Sequence, residues 1–359
     1  LRASLGKVGN DRIKKIRFPY LSTVSTDYSS VTWPGSTVGE SRVGANDLNW
    51  EETTKMDIGV DLKMFNDKVE LTADIFKDKN KGIFQQRANI PEEAGFVTNP
   101  YTNIGGMESW GFDGNITFNH NFTKDFGMTV RGNWTFARNN VTYWEQSGVV
   151  YPYQSFVDVP YGVQRGLISL GLFKDQADID NSPIQTFSTV YPGDLKYKDQ
   201  NGDNRIDELD VVPMGYNTIC PELFYSMGFD FEYKGLGINA QFQGASHYTV
   251  QRSLSCFYAP LMNNQTISEH YLENCWRSGK DNTDAIYPRL TTTESANNYR
   301  GNSVFMKNIS FLKLRSAEIY YKLPESCIKP LRLREFKLFA KGMDLFSIDN
   351  VNETDPEVI

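Results

Sequence analysis

Across residues 110–137 the chain alternates strictly between apolar and polar positions. Phe112, Gly114, Ile116, Phe118, His120 and Phe122 share one parity, and Asp113, Asn115, Thr117, Asn119 and Asn121 the other. After a turn at 123–126 the alternation resumes, with Met128, Val130, Trp134 and Phe136 set against Thr129, Arg131, Asn133 and Thr135. Successive side chains leave a pleated strand on opposite sides, so each stretch has one greasy and one wet face. The pattern recurs at Ile58, Val60, Leu62 and Met64, then through Asn66 and Asp67 into Val69, Leu71, Ala73 and Ile75. It recurs again at Leu223, Tyr225, Met227, Phe229, Phe231 and Tyr233, turns near Lys234 and Gly235, and continues as Leu236, Ile238, Ala240 and Phe242.

Stretches this long suit a membrane-spanning strand of roughly 9 to 11 residues better than the 5 to 6 usual in soluble sheets. Two further strands are expected near 311–323 and 336–346, and a short one at 1–6, making about nine. In the first of these, Leu312 and Leu314 oppose the parity of Ala317, Ile319 and Tyr321, which predicts a bulge near Arg315 and Ser316. The connections fall into two classes. Turns of a few residues at 66–68, 123–126 and 234–236 alternate with long segments at 79–106, 140–221 and 246–308, as in barrels with short periplasmic turns and long external loops. The fold expected is therefore all-β, a partial antiparallel transmembrane β-barrel of about nine strands with long extracellular loops, in the outer membrane of a Gram-negative bacterium.

Composition refines this picture. The net charge is −7, and no basic run is long enough to grip phosphodiesters, so nucleic acid is not an expected partner. No stretch approaches the roughly 18 apolar residues of a transmembrane helix. Aromatic residues make up 13% of the chain, and Tyr20, Trp50, Trp110, Trp134, Tyr143 and Trp144 lie near strand ends, where an interfacial girdle would sit. Tyr151, Tyr153, Tyr161, Tyr258 and Trp276, on the expected external loops, are candidates either for stacking on sugars or for packing those loops together. Of the four cysteines, Cys256 and Cys275 share one expected external loop, where a disulfide is possible.

One segment reads as a metal site. Residues 199–210, DQNGDNRIDELD, place oxygen side chains at positions 1, 3, 5, 9 and 12 of an EF-hand-type loop, with Ile206 at position 8. Asp199, Asn201, Asp203, the Arg205 carbonyl, a water held by Asp207, and Asp210 are the expected ligands of a structural Ca2+. Asn204 stands where glycine is usual, and Asp210 where a bidentate glutamate is usual. The alternative is an acidic, turn-rich surface loop. No GxSxG, HExxH or phosphate-cradling glycine loop is present, and no enzymatic activity is expected. The sequons at Asn115, Asn121 and Asn133 follow from Asn and Thr alternating on a wet strand face.

Several stretches resemble the SusC/RagA family of TonB-dependent outer-membrane transporters of the Bacteroidetes. They are LRASLGKVGND (1–11), WEETTKMDIGVDL (50–62), NIGGMESWGFDGNI (103–116), GLFKDQADIDNSP (171–183), PGDLKYKDQNGDNRID (192–207), FLKLRSAEIYYKLP (311–324), and KGMDLFSI (341–348) followed by DPE (355–357). They run in the family's order along nearly the whole chain. The resemblance implies a barrel of about 22 strands with an N-terminal plug, energised through the TonB complex. It also implies a cap formed by a SusD-like surface lipoprotein that presents oligosaccharides or peptides. Residues 1–359 are then expected to be part of a TonB-dependent receptor-type β-barrel domain, with the plug domain and closing strand absent. The function expected is active import of large nutrients. A passive porin or adhesin-type barrel, or a secreted β-protein acting on glycans, would share many of the same strands.

Overall fold

The computed structural model describes residues 1–12, 16–30, 33–351 and 354–357. Nine strands form one antiparallel sheet in which spatial order follows chain order. They are β1 (Arg2–Asn10), β2 (Glu51–Met64), β3 (Val69–Gln86), β4 (Tyr101–Asn121), β5 (Phe126–Tyr143), β6 (Leu223–Tyr233), β7 (Leu236–Gln251), β8 (Met306–Lys322) and β9 (Lys337–Asp349). The sheet is thus an up-and-down meander. Several strands exceed the expected span: β3 and β5 run 18 residues and β4 runs 21. The connections predicted at 79–106, 140–221 and 246–308 are correspondingly shorter. The opening strand also reaches Asn10 rather than ending at residue 6.

Register shows why the alternation matters. Met128, Phe231, Ile238, Ile319 and Ala340 form one row across five strands, each residue directly opposite the next. One position along, the opposite face carries Thr129, Asp230, Asn239, Glu318 and Lys341. A one-residue slip would exchange the two faces, so the segregation of apolar from polar side chains fixes the register. The tight Lys234–Gly235 turn joins β6 to β7 with both residues at positive φ, 48° and 84°. That is the backbone of a two-residue hairpin whose twist matches its strands, and glycine adopts it without a Cβ penalty.

The predicted bulge is present. Pairing of β8 with β9 shifts between Leu314 and Ser316, and pairing with β7 shifts opposite the same place, leaving Arg315 unpaired in both ladders. The extra residue keeps Leu314 on the same face as Ala317 and Ile319.

The chain divides into two compact units, described separately. One comprises residues 1–60, 73–112 and 137–161, and includes an antiparallel hairpin, Thr23–Ser30 with Trp33–Arg42, that the alternation does not announce. The other comprises 61–72, 113–136 and 162–359. Its larger buried apolar cluster lies outside the nine strands, in Leu167, Leu195, Tyr197, Ile206, Tyr271, Cys275, Tyr287 and Phe305, and a smaller one joins Ala245 of β7 and Ile309 and Phe311 of β8 to Val351. Elsewhere the strands carry the reverse pattern. Leu5, Ile58 and Ile75 are 75%, 61% and 68% exposed, and Ile238, Ile319 and Leu338 are exposed as well. A water-soluble monomer rarely leaves so extensive an apolar surface open.

Candidate functional site

The wet face is a field of paired charges. In the first unit Arg2 donates to Asp74 at 2.7 Å and Lys55 to Asp78 at 3.2 Å. In the second, Lys63 meets Glu70 at 2.8 Å, and Arg131 and Asn239 both bond Asp230. All these side chains share the parity of the polar positions read from the sequence. A surface of alternating sign holds water and offers weak, exchangeable contacts to polar solutes.

The same face turns into a recess in the first unit. A cavity of about 300 Å³ is lined by Asn10, Glu51, Asn80, Ile83, Trp144 and Tyr161, among others. Glu51 is held by Asn10 Nδ2 at 2.9 Å and the Phe84 N–H at 3.0 Å. Asn80 Oδ1 is buried and has no hydrogen-bond partner among the described residues. The Trp144 and Tyr161 rings lie 6.2 Å apart. Beside the recess, Arg87 Nε reaches Glu145 at 2.7 Å, and Gln85 Nε2 donates to the Glu145 carbonyl at 3.0 Å. Burial works to raise the Glu145 pKa, but the Arg87 guanidinium and the N–H groups of Ala88 and Asn89 outweigh it, leaving the carboxyl below its usual range.

The aromatic candidates separate. Tyr161 lines the recess, whereas Tyr258 packs against Tyr299 and Phe305, and Gly193 sits against the Trp276 ring. Tyr151 and Tyr153 stack on each other at 5.4 Å. Of the girdle candidates, Tyr20, Trp50, Trp110 and Tyr143 are exposed, while Trp134 packs against Gly114.

The 199–210 loop closes upon itself. Asp199 accepts from the N–H groups of Gly202 and Asn204 at 2.7 and 2.8 Å, Asn201 from Asp203 at 3.0 Å, and Asp203 from Arg205 at 2.8 Å. Asp207 accepts from Leu209 at 2.8 Å. Buried Asp210 takes the N–H groups of Gln200 and Asp207 at 2.7 and 2.9 Å. Asn204 adopts the left-handed conformation, φ 65°, that its place in the loop demands. Arg205 and Ile206 pair with Ile184 and Gln185, which sinks Ile206 into the apolar cluster. Among the described residues, no group of three or more His, Cys, Asp or Glu side chains is arranged to hold a metal ion. The side chains of Asp199, Asn201, Asp203, Asp207 and Asp210 each accept from the loop's own backbone N–H groups.

Sequence reasoning missed the polar knot beside this loop. Asp194, fully buried, is held by Arg289 Nε and Asn298 Nδ2, each at 2.8 Å, and by the Tyr191 N–H at 2.8 Å. Gln185 donates to Asn297 Oδ1 at 2.6 Å, and the Tyr197 hydroxyl to the Asn297 carbonyl, also at 2.6 Å. Burial pushes the Tyr197 phenol up. The only signal was Asp194 inside the segment 192–207; its side-chain partners Arg289 and Asn298 lie about a hundred residues away. The disulfide that the sequence left open between Cys256 and Cys275 is not formed. All four cysteines are free, and Cys275 is buried in the apolar cluster, its thiol donating to the Leu272 carbonyl at 3.3 Å.

Comparison with known proteins agrees with this geometry. Residues 1–225 match the family model described as TonB dependent receptor-like, beta-barrel. TonB-dependent receptor P26 of Formosa agariphila is 25% identical over 99% of this chain and 36% of its own length; P3 of the same organism is 26% identical over 99% and 35%. TonB-dependent receptor SusC of Bacteroides thetaiotaomicron is 27% identical over 40% of this chain and 14% of its own length. The solved structure of the RagAB peptide transporter superposes with a TM-score of 0.71 at 18% identity, over 99% of this chain and 38% of that one. The chain spans about a third of the length of the first two relatives.

Proposed function

The chain belongs to the TonB-dependent receptor-like β-barrel family, and on that footing we propose that it supplies barrel wall and loops to an outer-membrane importer of large polar nutrients. The observation that carries this reading is the division of one continuous sheet into an exposed apolar face and a face of paired charges. Lipid requires the first and a hydrated interior the second. In this reading the short turns are periplasmic and the long connections extracellular. The recess at Trp144 and Tyr161 then lies on the wall that a solute passes. The likeness to a peptide transporter supports peptides as cargo, and oligosaccharides suit the same polar wall. A SusD-like lipoprotein outside and the TonB complex inside complete the proposal. For the 199–210 loop we propose a structural part.

Two exposed cysteines test the orientation. Cys220 lies on a long connection and Cys327 in the short one between β8 and β9. In variants of the full-length protein retaining only one of them, a membrane-impermeant maleimide should label Cys220 on intact cells, and Cys327 only after the outer membrane is opened. The reverse pattern would overturn the orientation, and labelling of both on intact cells would overturn the membrane reading. Uptake that persists after the proton gradient is collapsed would make the barrel passive.

A further inference from the structure

The rim of the apolar face carries charge that nutrient passage through the interior does not use. Along β3 the outward parity runs Leu71, Ala73, Ile75, and then Lys77, Lys79, Lys81. The Lys55–Asp78 contact on the opposite face confirms that parity. Lys7 of β1 lies directly opposite Thr54 on the same outward face, its Nζ 3.0 Å from Glu52. Lys77 sits 3.0 Å from Glu108. Four ammonium groups therefore face two carboxylates, leaving a net positive band. Lys79 and Lys81 are exposed, and the Lys7 side chain is 70% exposed. A groove of about 660 Å³ opens in this band, lined by Asn49, Trp50, Glu52, Lys81 and Asn103. Trp50 is 68% exposed. Trp110 lies where the apolar run of Met56, Ile58, Ile75 and Phe112 gives way to the Lys77–Glu108 pair, and Trp50 lies beside Lys81 at the far edge of the band.

Indoles at such a boundary sit at headgroup depth, and phosphate is the anion met there. We propose that this band binds a phosphorylated glycolipid headgroup of the outer leaflet, with Lys79 and Lys81 on the phosphate and the Trp50 groove against the sugar. The proposal rests on the reading that the apolar face meets lipid. Ammonium groups hold phosphate as point charges and acyl chains add apolar contact, so the intact lipid is favoured over free phosphate.

The test uses the full-length protein in detergent and follows adducts by native mass spectrometry. The probes are diphosphoryl lipid A, its dephosphorylated form and inorganic phosphate. Binding of the diphosphoryl form is expected to exceed that of the dephosphorylated form. Lys79→Gln with Lys81→Gln should weaken it by about fivefold per lysine, while Lys79→Arg with Lys81→Arg retains it. Equal binding of both lipid forms, or an unaffected Gln variant, would overturn the site. Competition by millimolar inorganic phosphate would make it a free-anion site and overturn the lipid assignment. If the wild-type protein does not fractionate with the outer membrane, the functional reading itself falls. If it does and the two lipids bind alike, only the headgroup site falls.

Discussion

The carboxylates of the 199–210 loop show how one set of residues supports two readings. Spacing singled out Asp199, Asn201, Asp203, Asp207 and Asp210, yet the same residue types that ligate calcium also cap their own backbone. Sequence cannot say which the oxygens face. Asp210→Ala should leave two N–H groups without partners, at a cost of about 1–3 kcal/mol for each. The loop should then become cleavable by protease to the same degree in calcium and in EDTA. Calcium held by these oxygens would show instead as wild-type protection that EDTA removes. A second residue-scale prediction concerns the segment after β9. Asp355 and Glu357 fold back onto Lys313, and Arg315 bonds both Glu357 and Asp344. The hydrogen bond from Lys313 lowers the Asp355 pKa, and that from Arg315 lowers the Glu357 pKa. Folded values below the unfolded ones mean the docking is at full strength above roughly pH 4 to 5 and is lost as pH falls through the folded values. Hydrogen exchange at residues 354–357 should accelerate on acidification below about pH 4, and Arg315→Gln should move that release to higher pH.

At the scale of elements, the hairpins were legible because a half-exposed strand writes its two environments at alternate positions. Even the bulge at Arg315 showed, as a break in parity that only an inserted residue reconciles. The Thr23–Ser30 hairpin did not, because Val24 and Val38 on it are exposed and set up no apolar face. The recess was also illegible, since β1, β2, β3, β4 and β5 each contribute only one or two residues to it. The two faces predict opposite tolerances. Ile58→Lys, in the midst of the apolar face, should cost about 2–4 kcal/mol and reduce recovery of heat-modifiable protein from the outer membrane. Asp57→Asn, one position along and on the wet face, should leave recovery close to wild type.

At the scale of the whole molecule, the alternation foretold a sheet and the long connections, but gave no hint that those connections have a core of their own. That core draws on residues 163–217 and 252–305, segments too irregular for any period to mark. Cys275 reports on it: a thiol reagent should modify Cys220 and Cys327 in the native protein, and Cys275 only after denaturation, at the global unfolding midpoint. The two segments of the core are separated in the chain by β6 and β7, and contacts such as Gln185 with Asn297 span more than a hundred residues. Closing so wide a loop unaided is entropically slow. The tight Lys234–Gly235 turn shortens it, because once β6 zips onto β7 both segments emerge from the same end of one hairpin. The connectivity therefore predicts an order of assembly in which the hairpin forms first and the core condenses on a gap already closed. A lesion in that turn should therefore surface as slow maturation of a distant core, beyond the local strain it adds to the turn itself.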